Sequence, residues 1–306
     1  MTALAVAVRC LALDAAAVAT SAALRDRGID SVLLKGAGLA HRLGTERRYG
    51  DIDLLVAPSA FDAAQRALAE LGGRPVNDGV RPDDLPLHYE RSWRLPGAVP
   101  GVVDLHQGFA GVTRDEEFWC SLWRSAEEMP LAAERIAVPD REHAALLVAL
   151  HAATPASSAH PLADLERALA VFPVDTWRAA ASIAWRCGAE EAYALGLRLT
   201  DQGARVAEEL GMPRHCPPSR WLTAHRASVT ALSLARLAEL PSASVRLRHV
   251  RRRLLPSAAM MRNTSPMARR GRLGLLFAYV WRLVRHVSAL PYAARELHAA
   301  RRASRR

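Results

Sequence analysis

Asp51 and Asp53 stand two residues apart in Asp51-Ile-Asp-Leu-Leu-Val56, and on an extended strand that spacing turns both carboxylates to one face. Neighbouring carboxylates repel each other unless a cation lies between them. Oxygen ligands with few other protein donors suit Mg²⁺, which keeps its waters and takes substrate phosphates as ligands. Asp104, in Val102-Val-Asp-Leu-His106, supplies a third carboxylate if its strand neighbours the first. Three carboxylates can hold two metal ions, the arrangement for in-line attack on a phosphate. Upstream, Leu33-Leu-Lys-Gly-Ala-Gly38 reads as a strand end, a glycine turn and a helix start, where the backbone can approach a phosphate chain. Gly36 and Ala37 form that turn, Lys35 adds a point charge, and Arg47 and Arg48 add phosphate donors just before the carboxylate strand. His106 shares the face of Asp104 and is placed to orient that carboxylate or an acceptor. Singly, each feature has a plain reading: Asp-x-Asp as a solvated strand edge, Lys-Gly as an ordinary turn.

One count singles out Lys35. The 306 residues include 40 Arg and a single Lys. A GC-rich coding bias explains the ratio, and a site where a compact ammonium works and Arg's planar fork does not explains the exception.

The elements that must carry these residues follow from hydropathy patterning. Residues 3–26 have helical spacing, and 31–34 form a short buried strand. A helix after the glycine turn runs to Leu43, and 51–56 is a strand. A helix follows with Ser59 as N-cap, then strands at 87–94 and 102–106. Beyond Asp115 the pattern is helical, with helices predicted at 115–124, 141–152, 161–171, 175–187, 189–210, 219–239 and 266–289. Strands in the first third and helices thereafter give an α+β fold. The predicted domains are a catalytic-type α+β domain over 1–125, an all-α domain over 126–240 and an Arg-rich amphipathic helical tail over 241–306.

The order of strand, Lys-Gly turn, helix, Asp-x-Asp strand, helix and Asp-bearing strand is more specific than any one part. The stretches VLLKGAGLAHRLGTERRYGDIDLLV and GVVDLHQGF resemble the bacterial nucleotidyltransferase-like family within the polymerase-β nucleotidyltransferase superfamily. Lys35, Gly36, Arg47, Asp51, Asp53, Asp104 and His106 match its motifs position by position. LLVALHAA with His151 and PLADLERAL with Asp164 resemble its helical part. The wider superfamily has Gly-Ser or Gly-Gly at the turn; here the pair is Gly36-Ala37, so no hydroxyl is offered to a phosphate. The resemblance implies a nucleotidyltransferase-type mixed sheet, and transfer of a nucleoside monophosphate from an NTP, foremost ATP, to a hydroxyl of a peptide or small-molecule acceptor. In that scheme Asp51, Asp53 and Asp104 hold Mg²⁺, Lys35 with its turn and Arg47 and Arg48 hold the nucleotide, and His106 and His151 support the acceptor. Two other readings stand beside it: a non-catalytic scaffold or membrane-docked partner with the same fold, and a metal-dependent glycosyltransferase using Asp-x-Asp.

Charge separates the chain into two parts. The net charge is +10, yet residues 241–306 carry 16 Arg against one acid, Glu296, which leaves −5 on residues 1–240. Within the tail, Leu273, Leu276, Phe277, Val280, Val284 and Val287 form one helical stripe. Packing of that stripe on the helical domain is the first expectation, peripheral membrane contact the second and nucleic acid the third. Cys10, Cys120, Cys187 and Cys216 suit neither a zinc site nor a disulfide framework, and read as buried reduced thiols of a cytoplasmic protein. The N-terminal apolar run is broken by Arg9 and Asp14 and reads as a helix of the fold; no stretch has the ~18–20 uncharged apolar residues of a membrane span. Trp119, Trp123, Trp177, Trp185 and Trp221 are predicted core anchors.

Overall fold

The computed structural model describes residues 3–45, 49–77, 80, 89–96, 101–154 and 160–304. The chain is α+β. In order, the first elements are α1 (Ala3–Arg25), β1 (Ser31–Leu33), α2 (Ala37–Leu43), β2 (Ile52–Val56), α3 (Phe61–Glu70), β3 (Arg74–Pro75), β4 (Glu90–Arg94), β5 (Val102–His106) and α4 (Asp115–Ser125). Then come β6 (Glu127–Leu131), β7 (Glu134–Val138), α5 (Arg141–Ala152), α6 (His160–Val171), α7 (Val174–Arg186), α8 (Glu190–Leu197) and α9 (Asp201–Glu209). The remainder is α10 (Pro218–Ala224), α11 (Val229–Glu239), α12 (Ala243–Leu254), α13 (Ala258–Thr264), α14 (Gly271–Ser288) and α15 (Leu290–Ala303).

Two compact units result. The first holds α1–α9 and all seven strands; the second holds α10–α15, from Pro213 on, and takes in Asn77, Val80, Ala153 and Thr154 of the earlier described residues. In the first unit a five-stranded mixed sheet runs β1-β2-β5-β4-β3, with β2 and β5 parallel and the other pairs antiparallel. Every residue of β2 is buried, because helices and the hairpin cover both faces of this central strand; that is why Ile52-Asp-Leu-Leu-Val reads as an apolar run with one acid inside it. Leu13, Val18, Phe61 and Leu68 from α1 and α3 pack with Ile52, Leu54 and Val103. Leu55 of the sheet belongs to a larger cluster built around α5. Residues 143–150 of α5 are all buried, as a helix apolar on every side must be.

Tight helix packing depends on Gly196. A Cβ added there would overlap the backbone carbonyl of Ala149, so α8 lies against α5 at a distance only glycine permits. Gly196→Ala is expected to cost about 1–3 kcal/mol by forcing the helices apart. An unchanged midpoint in thermal unfolding would contradict this.

Several elements differ from the sequence reading. The hairpin β6–β7 lies in a segment read as helical. Its turn residues, Ala132 and Ala133, adopt positive φ of 47° and 67°, the primed-turn geometry usually announced by Asn-Gly, so the sequence carries no turn signal. The single helix predicted over 189–210 is broken, and Thr200 caps the second half by accepting from Gly203 N. The helix predicted over 219–239 is likewise broken, with Ser228 capping α11. Ser59 is not an N-cap; it lies inside a short 3₁₀ turn, Pro58–Ala60. The strand predicted from Asp51 starts at Ile52. Helices α12, α13 and α15 lie in the tail read as helical over 241–306, where only 266–289 was placed as an individual helix. Trp119 and Trp177 are buried, whereas Trp123 and Trp185 are exposed. All four cysteines are free, but only Cys187 is buried, its thiol pushed up to about 11 by burial; Cys120 is exposed. Among the described residues one helix, α1, is long and apolar enough to cross a membrane, with mean hydropathy 1.6 over Leu4–Arg25 in spite of Arg9 and Asp14. Its Leu13, Ala17, Val18 and Leu24 nevertheless form part of the first unit's core.

The structure also contains a network that the sequence did not suggest. Asp140 accepts from His143 N, capping α5, and takes His143 Nδ1 at 2.8 Å; Ser121 Oγ lies 3.1 Å from His143 Nε2. This satisfies a buried imidazole and ties α4 to the start of α5.

Candidate functional site

Four polar side chains share one face of the sheet through strand register. Asp53 on β2 is opposite Asp104 on the parallel neighbour β5. His106 is two residues beyond Asp104, hence on the same face, and Glu90 of β4 is paired with it across the antiparallel ladder. Lys35 enters from the turn after β1. Leu34 N donates to Asp53 O at 3.0 Å, which aligns the turn with β2. Gly36 then takes φ of +66°, a conformation that suits glycine, and α2 begins at Ala37. Gly38 serves packing: a Cβ there would lie 2.9 Å from Val138 Cγ1 of β7.

One carboxylate oxygen organises the cluster. Lys35 Nζ donates to Asp53 Oδ1 at 2.8 Å, and His106 Nε2 contacts the same oxygen at 3.1 Å. His106 is 2% exposed, and its Nδ1 lies 3.7 Å from Glu90 Oε2. Its ring is stacked between Tyr89 and Phe109, and Lys35 Nζ sits 5.5 Å from the centre of the Phe109 ring. Burial acts to raise the Asp53 carboxyl, but the Lys35 charge and the His106 hydrogen bond outweigh it and hold the group far below the usual carboxylate range. Burial acts to lower Lys35; Asp53 reverses this, with Asp51 and Glu90 adding, and Lys35 ends above its ordinary value.

Glu90 titrates in the opposite sense. Burial raises it, the charge of His106 opposes that, and the charge of Asp104 adds to it. Its proton is therefore held more tightly in the folded state than in the unfolded chain. Its contribution to stability is full below the ordinary glutamate range and is lost as pH rises through the raised value. Glu90→Gln is expected to raise the unfolding temperature relative to the parent at about pH 8 and to lose that advantage at about pH 4. Parallel pH profiles for the two proteins would contradict the assignment.

The face has a cation-seeking feature besides Asp53. Asp104 Oδ1 is buried and has no hydrogen-bond partner. A buried carboxylate oxygen without a donor calls for a cation, and with Asp53 opposite, the donor set is hard oxygen, which fits Mg²⁺. No group of three or more acidic, His or Cys side chains is assembled for a metal among the described residues. Asp51 precedes the strand and is exposed, close enough to Lys35 to act on its charge.

The remaining candidates fall as follows. Ala37 is half-buried and packs on the core below the sheet. Buried under Asp53, His106 is a positioning residue for that carboxylate and presents no surface to an acceptor. His151 is half-buried in the last turn of α5. Arg47 and Arg48 lie outside the described residues. Glu90 and Phe109 were missed by the sequence reading. The available signal for Glu90 was an acid at an inward position of a strand that could pair with Asp-x-His.

A family model described as uncharacterised nucleotidyltransferase matches residues 2–203. No curated protein matches the chain. Among solved structures, ANT(2'')-Ia in complex with adenylyl-2''-tobramycin is 16% identical over 55% of this chain and 94% of that chain, with a TM-score of 0.39. An antigenic nucleotidyltransferase-like protein from Paracoccidioides brasiliensis is 12% identical over 56% and 87%, with a TM-score of 0.35. The lincomycin-bound lincosamide antibiotic adenylyltransferase LnuA is 13% identical over 49% and 91%, with a TM-score of 0.32. Likenesses this distant carry no information about substrate.

Proposed function

The chain belongs to the family of uncharacterised nucleotidyltransferases, and from that membership we propose that it moves a nucleoside monophosphate from an NTP, ATP foremost, to a hydroxyl of a peptide or small-molecule acceptor in a Mg²⁺-dependent reaction. The observation that carries this reading is the pairing of Asp53 with Asp104 on adjacent parallel strands, with Asp104 Oδ1 buried and unpartnered. Asp53 and Asp104 would hold the cation, with Asp51 at the rim. Mg²⁺, when bound, supplies charge neutralisation on the triphosphate and the departing pyrophosphate.

The chain's own groups account for the rest. His106 Nε2 and Lys35 Nζ fix the Asp53 carboxylate in its ionised form. Lys35, 16% exposed, presents an ammonium at the edge of the face for a phosphate oxygen. Asp104 orients the acceptor hydroxyl and takes its proton as the acceptor oxygen bonds to the α-phosphorus and the bond to pyrophosphate breaks. The missing hydroxyl at Ala37 leaves the backbone of the Gly36 turn to meet the phosphates.

The test is ATP binding measured with and without MgCl₂. The parent protein is expected to bind in a Mg²⁺-dependent way, and Asp51→Asn/Asp53→Asn to lose the Mg²⁺-dependent part. Retention of that part by the double variant would overturn the site assignment. A second reading is a nucleotide-binding scaffold without transfer, favoured by the Gly36-Ala37 turn, which offers no hydroxyl to a phosphate. Mass spectrometry of candidate acceptors after incubation with each triphosphate separates the two.

A further inference from the structure

The tail helix does not bury its apolar stripe. Leu273, Leu276, Phe277, Val280, Trp281, Val284 and Val287 of α14 are all more than half exposed. At ~100° per residue these seven fall within an arc of roughly 140°. Arg272 and Arg285 flank that arc on opposite sides. The opposite face of α14 is already packed: Ala278 is buried with Met261 and Ala268, Tyr279 Oη donates to Pro256 O, and Arg282 donates to Arg253 O. The helix therefore has a protein face and a second, apolar face turned outward. Among the described residues of the second unit nothing covers that face.

An apolar pocket adjoins the stripe. A cavity of about 250 Å³ between α11, α12 and α14 is lined by Leu234, Leu237, Val250, Leu283 and Val287, with His249, Arg253 and His286 also in its wall. His249 Nε2, Arg253 Nε and His286 Nε2 are each buried without a hydrogen-bond partner. These nitrogens lie behind the apolar wall and are not presented to the cavity. Beyond burial, like charge from Arg236, Arg282 and Arg285 lowers Arg253, so the pocket lies in a positive field. The only acid of residues 241–306, Glu296, is already used in accepting from Ser228 N and Oγ at the start of α11.

We propose that the second unit docks on an anionic phospholipid surface, with the outward face of α14 sunk in the plane of the acyl boundary and Arg272 and Arg285 at its margins meeting headgroup phosphates. An apolar arc with arginines at both margins is the pattern of a helix lying in an interface, the guanidinium groups reaching up to phosphates as the aliphatic side chains go down. A nucleic acid would satisfy the arginines but would leave seven apolar side chains against a charged polymer. A spanning helix would carry Arg282 and His286 into hydrocarbon. Exposed Trp281 and Tyr292 suit the headgroup level.

Co-sedimentation with vesicles tests this. The full chain is expected to bind phosphatidylcholine–phosphatidylglycerol vesicles and not phosphatidylcholine alone. Phe277→Ser/Trp281→Ser, which changes two side chains exposed in the structure, is expected to weaken binding at least ~10-fold with an unchanged circular dichroism spectrum. Arg272→Gln/Arg285→Gln is expected to weaken it less and to reduce the preference for phosphatidylglycerol. Three results would overturn the proposal: no binding to the anionic vesicles, equal binding by the Phe277→Ser/Trp281→Ser variant, or dimers in light scattering that this variant converts to monomers. The last would assign the face to a second copy of the chain.

Discussion

A Lys35→Met chain is expected to unfold about 3–5 kcal/mol more readily than the parent. The size follows from what the substitution strands. Asp53 lies in the middle of a strand buried along its whole length, and its side chain is 8% exposed. Of its two side-chain partners, Lys35 brings a full positive charge at 2.8 Å, whereas His106 brings a ring nitrogen at 3.1 Å. Met retains the volume and removes the cation, so a carboxylate would be left in a low-dielectric site with one donor. Replacing both members, as Lys35→Met/Asp53→Asn, is expected to recover most of the loss, because no unpaired charge remains. Asp53 is held below its ordinary range, so the penalty should be full at neutral pH and shrink as acid titrates the carboxyl toward its lowered value. Urea unfolding followed by circular dichroism measures all three. A loss under ~1 kcal/mol for the single variant would mean that the pair is screened as at a surface. Lys35→Arg should keep much of the stability but impair transfer, since a planar fork replaces a compact ammonium beside the Phe109 ring.

The same site shows what the chain made legible. Asp53, Asp104 and His106 were readable because strand spacing of two and a shared apolar frame put them on one face wherever the strands pair. Lys35 stood out as the one lysine among 40 arginines. Pairing itself is not local information. That β2 and β5 are adjacent and in register at Asp53 and Asp104, and that β4 brings Glu90 against His106, depends on which strands meet, and no periodicity encodes that. Asp51 is less legible, because an Asp-x-Asp pattern fixes a face only where both residues are in the strand, and the strand starts one residue later. The β6–β7 hairpin was missed because Ala132-Ala133 turns where Asn-Gly would have announced it. For α14 the periodicity was right, but a stripe identifies the apolar face and is silent on whether protein or another phase covers it.

Asp104→Asn separates what the site does from what holds it together. On the proposed function, its carboxylate is a metal ligand and the acceptor's proton acceptor, and an amide can do neither job well. Several kcal/mol of transition-state stabilisation are at stake, and at ~1.4 kcal/mol per factor of ten the variant is expected to lose about 10³-fold in turnover. Stability should move the other way or stay level. Asp104 Oδ1 is buried without a partner, and its charge helps to raise Glu90 next to it. An isosteric amide removes that repulsion at no cost in volume, so the unfolding midpoint should hold or rise. This sign distinguishes Asp104 from Asp53, whose replacement by Asn costs both activity and the ion pair with Lys35. The measurements are pyrophosphate release and thermal unfolding on the same preparation. A clear drop in midpoint would make Asp104 a structural group, since a carboxylate kept for chemistry has no reason to support the fold.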